Sequence, residues 1–318
     1  MMMRILRYVA YALAGLLLLA GAGVVWLVQK QPASRLPSSE KVEPTPERVE
    51  RGRYLFEHVA ACGSCHSERD FSQFGGPVKA GRTGSGMCLP EAFKMPGRVC
   101  APNLTPHPEA GVGAWTDGEL LRAIREGVGR DGRALFMMSN YALGDEDARS
   151  VVAYLRSLPP LDSRVPPSEL IFPVKLGVKF SPKPLEGPLT APAPTDTVAH
   201  GKYLAELASC EMCHSGAAGP FAGGHVFETP SGQAVAVNIT SDPTGLGKTT
   251  REEFILRFKA YAEVEPGPAS NGKEQMPWLH FAGMTEQDLG ALYDYLQTVK
   301  PIAYRPPRTE RQADASAQ

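Results

Sequence analysis

An excess of charge of either sign is missing from this 318-residue chain, in which 33 Lys and Arg stand against 34 Asp and Glu. Without a basic surplus there is no electrostatic footprint for DNA or RNA, and nucleic-acid binding is disfavoured. Long apolar runs are scarce too. With 43% hydrophobic and 21% charged residues, the composition argues against both a polytopic membrane protein and wholesale disorder. Cysteine is limited to six residues. Four of them fall in two clusters that each offer three ligands within five consecutive positions, with no second pair nearby, and a structural zinc site wants four. What the chain has in plenty is proline: 29 residues, about 9% against a usual level of about 5%. Loops and extended connectors are therefore expected between short helices, and the length allows about two domains at roughly 150 residues each.

The one long apolar run extends from Tyr8 to Val28, after Arg4 and Arg7 and before Lys30 and Pro32. As a helix its 21 residues reach about 31 Å, the thickness of a bilayer core, with Trp26 near the outer boundary. The positive-inside bias keeps the arginines in the cytoplasm and sends the rest of the chain across. A cleaved signal peptide ending at Ala20-Gly21-Ala22 is the competing reading. The run continues through Val24, Val25, Trp26, Leu27 and Val28, which favours a retained inner-membrane anchor with its body in the periplasm.

Beyond residue 46 one pattern occurs twice. Arg51-Gly52-Arg53-Tyr54-Leu55 leads to Cys62-Gly63-Ser64-Cys65-His66, and His200-Gly201-Lys202-Tyr203-Leu204 leads to Cys210-Glu211-Met212-Cys213-His214. Asn103-Leu104-Thr105 and Asn238-Ile239-Thr240 follow, then helix starts at Trp115-Thr116-Asp117 and Thr249-Thr250. Each copy closes with an expected amphipathic helix, Asp145 to Leu158 and Thr285 to Val299; Thr285 with Asp288 resembles a capping box. The predicted organisation is an anchor over 1–30, a linker over 31–46, domains over 47–160 and 196–305 joined by a proline-rich connector over 161–195, and a frayed tail over 306–318. Within the connector, Leu170-Ile171-Phe172-Pro173-Val174 is apolar enough to pack across a domain surface.

Cys-x-x-Cys-His is the attachment sequence of c-type haem: two thiols form thioethers with the porphyrin vinyl groups and the next histidine ligates the iron. Cysteines three positions apart on a tight helical turn reach one porphyrin edge, and the adjacent imidazole turns beneath to the metal. Two haems are thus expected, on Cys62, Cys65 and His66, and on Cys210, Cys213 and His214. A methionine as sixth ligand raises the potential and suits electron transfer. Met276, 66 positions after Cys210, is the candidate in the second copy; in the first, Met138 is preferred to Met137, with Ser139 following where a proline would stiffen the loop. Met212 lies inside the attachment motif and cannot reach across, and Met284 reads as packing. Cys88 and Cys100 remain as a pair, expected to form a disulfide that staples a segment the second copy lacks, since Cys62 to Asn103 spans 41 positions and Cys210 to Asn238 only 28. Asn103 and Asn238 either meet haem propionates or fix turns. His58, His200, His225 and His280 have no ligand spacing and read as surface or satisfied histidines; Tyr54 and Trp115 read as packing residues.

With these motifs placed, residues from about 47 to 160 and 196 to 301 resemble tandem class I cytochrome c domains. The resemblance is to the multihaem cytochrome c subunits of membrane-bound bacterial dehydrogenases for alcohols, sugars and sugar acids. It rests on Pro102-Asn103-Leu104-Thr105-Pro106, Gly111-Val112-Gly113-Ala114-Trp115-Thr116-Asp117-Gly118-Glu119, Ala123-Ile124-Arg125-Glu126-Gly127 and Tyr154-Leu155-Arg156-Ser157-Leu158. Those subunits usually have three haem modules, and their first ligand loop usually reads Met-Pro-Tyr, where this chain has Met138-Ser139-Asn140. The resemblance implies a mainly helical fold around each haem. It also implies a role as a non-enzymatic carrier between a dehydrogenase or other respiratory donor and a quinone, cytochrome or oxidase acceptor. Membership of a terminal-oxidase complex and a dihaem peroxidase are the alternative functions.

Overall fold

A computed structural model describes residues 1–138, 141–229, 232–263, 265, 267–268 and 276–307. The first helix, α1 (Met2–Gln29), runs 28 residues with nothing buried and is long and apolar enough to cross a membrane. Residues 31–46 are not a free linker. Val42 is buried among Val112, Leu120, Val152 and Ala153, its N–H donates to Asp117 Oδ2 at 2.9 Å, and Arg35 pairs with Glu126.

The first module contains α2 (Pro46–Tyr54), a π-helical turn over Leu55–Val59, α3 (Gly63–His66), α4 (Asp117–Glu126) and α5 (Asp145–Ser157). After α6 (Phe172–Gly177) in the connector, the second repeats the order as α7 (Thr197–Leu207), α8 (Cys210–His214), α9 (Arg251–Lys259), α10 (Trp278–Phe281) and α11 (Glu286–Thr298). Local chemistry sets the boundaries. Thr116 and Thr250 each accept from the N–H three residues on while Glu119 and Glu253 reach back, completing two capping boxes. Thr285 caps α11 through the Asp288 N–H, yet the Asp288 carboxylate is engaged elsewhere, so that box is only half made.

In both modules the first and last helices cross at a glycine. A Cβ on Gly52 would lie 1.8 Å from the Ser150 carbonyl oxygen, and one on Gly201 would lie 1.8 Å from that of Ala291. This close approach is what the shared Gly-x-Tyr-Leu pattern provides. The copies differ in one local respect. From the glycine to the first cysteine there are 10 positions in the first module and 9 in the second. The π turn takes up the extra residue, with the Ala60 N–H bonding back to Leu55 O at 2.8 Å.

The cores merge. Leu55, Phe56, Val151, Tyr154 and Leu155 belong to one cluster with Tyr203, Leu204, Phe254, Phe281, Leu289 and Leu296. Short antiparallel hairpins decorate the modules, among them Met87–Cys88 with Cys100–Ala101 and Val226–Thr229 with Gly232–Val235. Cys88 and Cys100 face each other in register and form a disulfide. The expectation that it staples an extra segment needs correction. The Gly86 N–H donates to His66 O and the Gly223 N–H to His214 O, so these glycines correspond. Cys62 to Gly86 is 24 positions against 13 from Cys210 to Gly223, whereas Gly86 to Asn103 is 17 against 15. The disulfide closes a hairpin that the second module also has, and most of the added length precedes it. That added length reaches the other module: the Phe74 ring stacks on Tyr261, and its N–H donates to Gly267 O at 2.7 Å.

Candidate functional site

Each attachment motif begins with a backbone reversal. Ala61 (φ 46°) and Ser209 (φ 55°), immediately before the first cysteines, are left-handed although neither is glycine. Such a residue costs on the order of 1 kcal/mol; its recurrence in both copies marks the turn that launches the short helix carrying the motif. On α3 the His66 N–H bonds to Cys62 O at 2.9 Å, which stacks the histidine one turn above the first cysteine. Cys62, Cys65, Cys210 and Cys213 are all free thiols. Burial pushes the Cys62 and Cys210 thiols up to about 12, so both are protonated.

His66 and His214 are 5% and 9% exposed. Their Nδ1 atoms lie 3.0 Å from Pro102 O and 2.8 Å from Val237 O, which places the Nδ1 proton on the carbonyl and leaves Nε2 as a lone-pair donor. Burial holds both imidazoles below the usual histidine range, in the neutral form a metal requires. The carbonyls come from the residues just before Asn103 and Asn238. Those asparagines fix turns: Asn103 Oδ1 accepts from Thr105 N and Oγ1 at 2.9 and 2.7 Å, and Asn238 Oδ1 accepts from Thr240 N and Oγ1 at 2.9 and 2.8 Å. Their Nδ2 groups donate to Leu161 O and Ile302 O, holding the chain beyond each last helix over the loop that orients the histidine.

Met276 is half-buried against the common core, its carbonyl accepting from Trp278 N at 2.7 Å. Met138 is half-buried; Met137, left-handed at φ 56°, is 59% exposed. Ser139 and Asn140 lie outside the described residues. A cation secures the end of each methionine loop: Arg125 pairs with Asp145 at 2.5 Å, and the Lys259 ammonium donates to Ala282 O and Met284 O. Arg125 Nε and Nη2 are buried without an acceptor among the described residues. Unpaired cationic donors, two neutral imidazoles and four unpaired thiols form a donor set that suits an anionic porphyrin bearing vinyl groups and a metal. Met212 is 61% exposed and Met284 is buried, as their positions implied.

Several residues gain roles that spacing did not show. Tyr54 of the first module donates to Asp288 Oδ2 of the second at 2.6 Å, and Tyr203 of the second donates to Asp147 Oδ2 of the first at 2.6 Å. Arg51 holds Asp147 with two bonds of 2.8 Å, and His200 Nε2 holds Asp288 Oδ1 at 2.8 Å. The two modules thus meet through one reciprocal, pseudo-twofold exchange. Burial and the facing carboxylates raise both tyrosine hydroxyls well above their usual range. A second contact breaks this symmetry. His280 Nδ1 lies 2.8 Å from Glu57 O, and His58 Nδ1 3.1 Å from His280 O, so α10 covers the π turn beside the first attachment motif. The available signal for the reciprocal contact was position within each copy: Arg51 and His200 each stand three residues before the tyrosine, and Asp147 and Asp288 are each the third residue of the last helix.

The Cytochrome c family profile matches residues 49–159 and 198–300. The chain is 25% identical over 283 residues to the cytochrome c subunit of the quinone-dependent alcohol dehydrogenase of Gluconacetobacter polyoxogenes, covering 80% of this chain and 56% of that protein. It is 35% identical over 141 residues to the cytochrome subunit of the fructose dehydrogenase of Gluconobacter japonicus, covering 42% and 28%. It is 30% identical over 214 residues to a diheme cytochrome c-type protein of Cereibacter sphaeroides, covering 63% and 67%. The chain thus spans only part of the length of the two dehydrogenase subunits. With two profile matches over the two structural repeats, the chain belongs to the cytochrome c family, as an electron carrier with covalently attached haem.

Proposed function

We propose that the chain is a periplasmic dihaem cytochrome c, tethered to the inner membrane by α1, that passes electrons from a dehydrogenase to a quinone, cytochrome or terminal-oxidase acceptor. One haem is held by Cys62 and Cys65, with His66 and Met138 on its iron; the other by Cys210 and Cys213, with His214 and Met276. The observation that carries this reading is the repeated histidine geometry, a buried neutral imidazole fixed through Nδ1 by a backbone carbonyl, once after each Cys-x-x-Cys. The bound haem supplies a one-electron ferric/ferrous couple. Around it the protein's residues keep water out and hold each imidazole in a single tautomer. The methionine loops are drawn in by Arg125 and Lys259. Met138 is preferred to Met137 because its neighbour is mostly exposed on a left-handed turn. The Tyr54–Asp288 and Tyr203–Asp147 exchange keeps the two haem modules at a fixed separation, which suits electron passage from one to the other. A dehydrogenase donor is supported by relatives named as dehydrogenase subunits.

The test uses membranes from cells producing the chain. Alcohols, sugars and sugar acids are added one at a time while the ferrous haem c band is followed. One of them should reduce the haem before dithionite is added. If none does while a dehydrogenase for it is active in the same membranes, the dehydrogenase donor is wrong.

A further inference from the structure

The connector was expected to pack Leu170-Ile171-Phe172-Pro173-Val174 across a module. Instead, Ile171, Phe172 and Phe180 are 53%, 64% and 50% exposed. Between Leu170 and Leu185 the only charged residues are Lys175, Lys179 and Lys183. The segment is presented from fixed points. Leu170 pairs with Gly97, the Ile171 N–H donates to Pro96 O at 3.1 Å, the Tyr141 hydroxyl donates to Ser181 O at 2.7 Å, and the Lys183 N–H donates to that hydroxyl at 3.1 Å. It also lies against the last turn of α1. The Lys179 ammonium donates to Val28 O, and the Lys30 ammonium sits 5.5 Å from the Phe180 ring and 5.3 Å from the Trp26 ring.

Where α1 spans a bilayer, Trp26 and Lys30 stand at the boundary between acyl chains and headgroups. The exposed phenylalanines share that depth, and the three lysines have stems long enough to carry their ammonium groups to the phosphates. An exposed apolar cluster interspersed with lysines is the pattern of a segment lying in an anionic lipid interface. We propose that residues 171–183 are a second, interfacial membrane contact. Ile171, Phe172 and Phe180 enter the headgroup–acyl boundary, and Lys175, Lys179 and Lys183 meet anionic lipid phosphates. The contact fixes how the first module faces the membrane. It rests on α1 being a retained anchor.

The test is spin-label depth measurement on the full chain in vesicles containing phosphatidylglycerol. The haems are left ferric, and each collision value is taken as the difference from the same label under nitrogen, so that relaxation by the iron cancels. Labels are placed on Phe172→Cys and Phe180→Cys, with Leu17→Cys inside α1 and Leu256→Cys, exposed on α9, as references. The native cysteines are occupied in the disulfide or by haem. The ratio of oxygen to nickel-chelate collision at 172 and 180 should fall between the two references, and should drop toward the Leu256 value in vesicles of phosphatidylcholine alone. Labels at 172 and 180 that match Leu256 in anionic vesicles, with Leu17 deep, overturn the contact and leave the anchor standing. A Leu17 label in water refutes the anchor instead, and the ratios at 172 and 180 still decide whether the connector binds lipid.

Discussion

Replacing Gly52 by alanine tests the helix crossing on which the first module is built. The new methyl group would stand 1.8 Å from Ser150 O, 2.5 Å from its carbonyl carbon and 2.8 Å from Tyr154 Cβ, where ordinary contact begins at 3.4 Å. No rotamer change can relieve a clash with backbone, so α2 and α5 must part by about 1.6 Å, the shortfall at the carbonyl oxygen. Alanine gains about 1 kcal/mol in helix propensity, against overpacking that costs about 1–3 kcal/mol and more where the obstacle is rigid. Parting the helices also loosens the contacts of Leu55, Val151 and Leu155 in the common core. A net loss of about 2 kcal/mol is expected, lowering the melting midpoint by roughly 6 °C for two modules that share one core. Gly177, with nothing within 4 Å of a built Cβ, is the control; its alanine variant should stay within about 0.5 kcal/mol of the parent. Thermal unfolding of the haem-loaded proteins, followed by far-ultraviolet circular dichroism, measures both. A Gly52→Ala protein that melts with its parent would refute the claim that close helix approach explains the glycine shared by both copies.

Met276→Ala should lower the potential of one haem and leave the other in place, because a thioether favours ferrous iron; unchanged potentials in a spectroelectrochemical titration would remove Met276 from the iron. Burial at the module interface lowers His280 from 6.5 to about 4. The unfolded chain therefore binds the extra proton first as pH falls, and stability present above about 6.5 is lost on the way down to about 4, by about 3 kcal/mol at most. Urea unfolding at pH 7.5 and 4.5 should show this loss, and His280→Gln should flatten it; an equally steep acid loss in the variant would place the titrating group elsewhere. Tyr54→Phe and Tyr203→Phe each remove a hydroxyl from the opposite module's buried aspartate, at about 1.5–3 kcal/mol. Equilibrium unfolding should give similar losses for the two, and a large inequality would contradict the pseudo-twofold contact.

Features encoded within a few residues were legible in the sequence. The Thr116 and Thr250 helix starts, the two attachment motifs and the duplication of their spacing depend on neighbours along the chain, and they fold as the pattern implies. Features decided by contacts distant in sequence were not. Tyr54 read as a packing residue because its acceptor, Asp288, is 234 positions away. The asparagines fix turns because Thr105 and Thr240 fill their Oδ1 atoms, a pairing that residue type alone does not distinguish from a propionate contact. The connector does pair with the first module at Leu170, but Ile171 and Phe172 stay exposed, since apolar composition does not say which side chains a surface will cover. The π turn was foreshadowed by the single-residue difference between the copies, although length alone does not say whether a helix or a loop absorbs it.

Each module is proposed to carry one covalent haem. Pyridine haemochrome quantitation of the denatured chain should give a ratio of haem to protein near two, and Cys210→Ala with Cys213→Ala should bring it near one. A ratio near one for the unaltered chain would contradict the duplicated site.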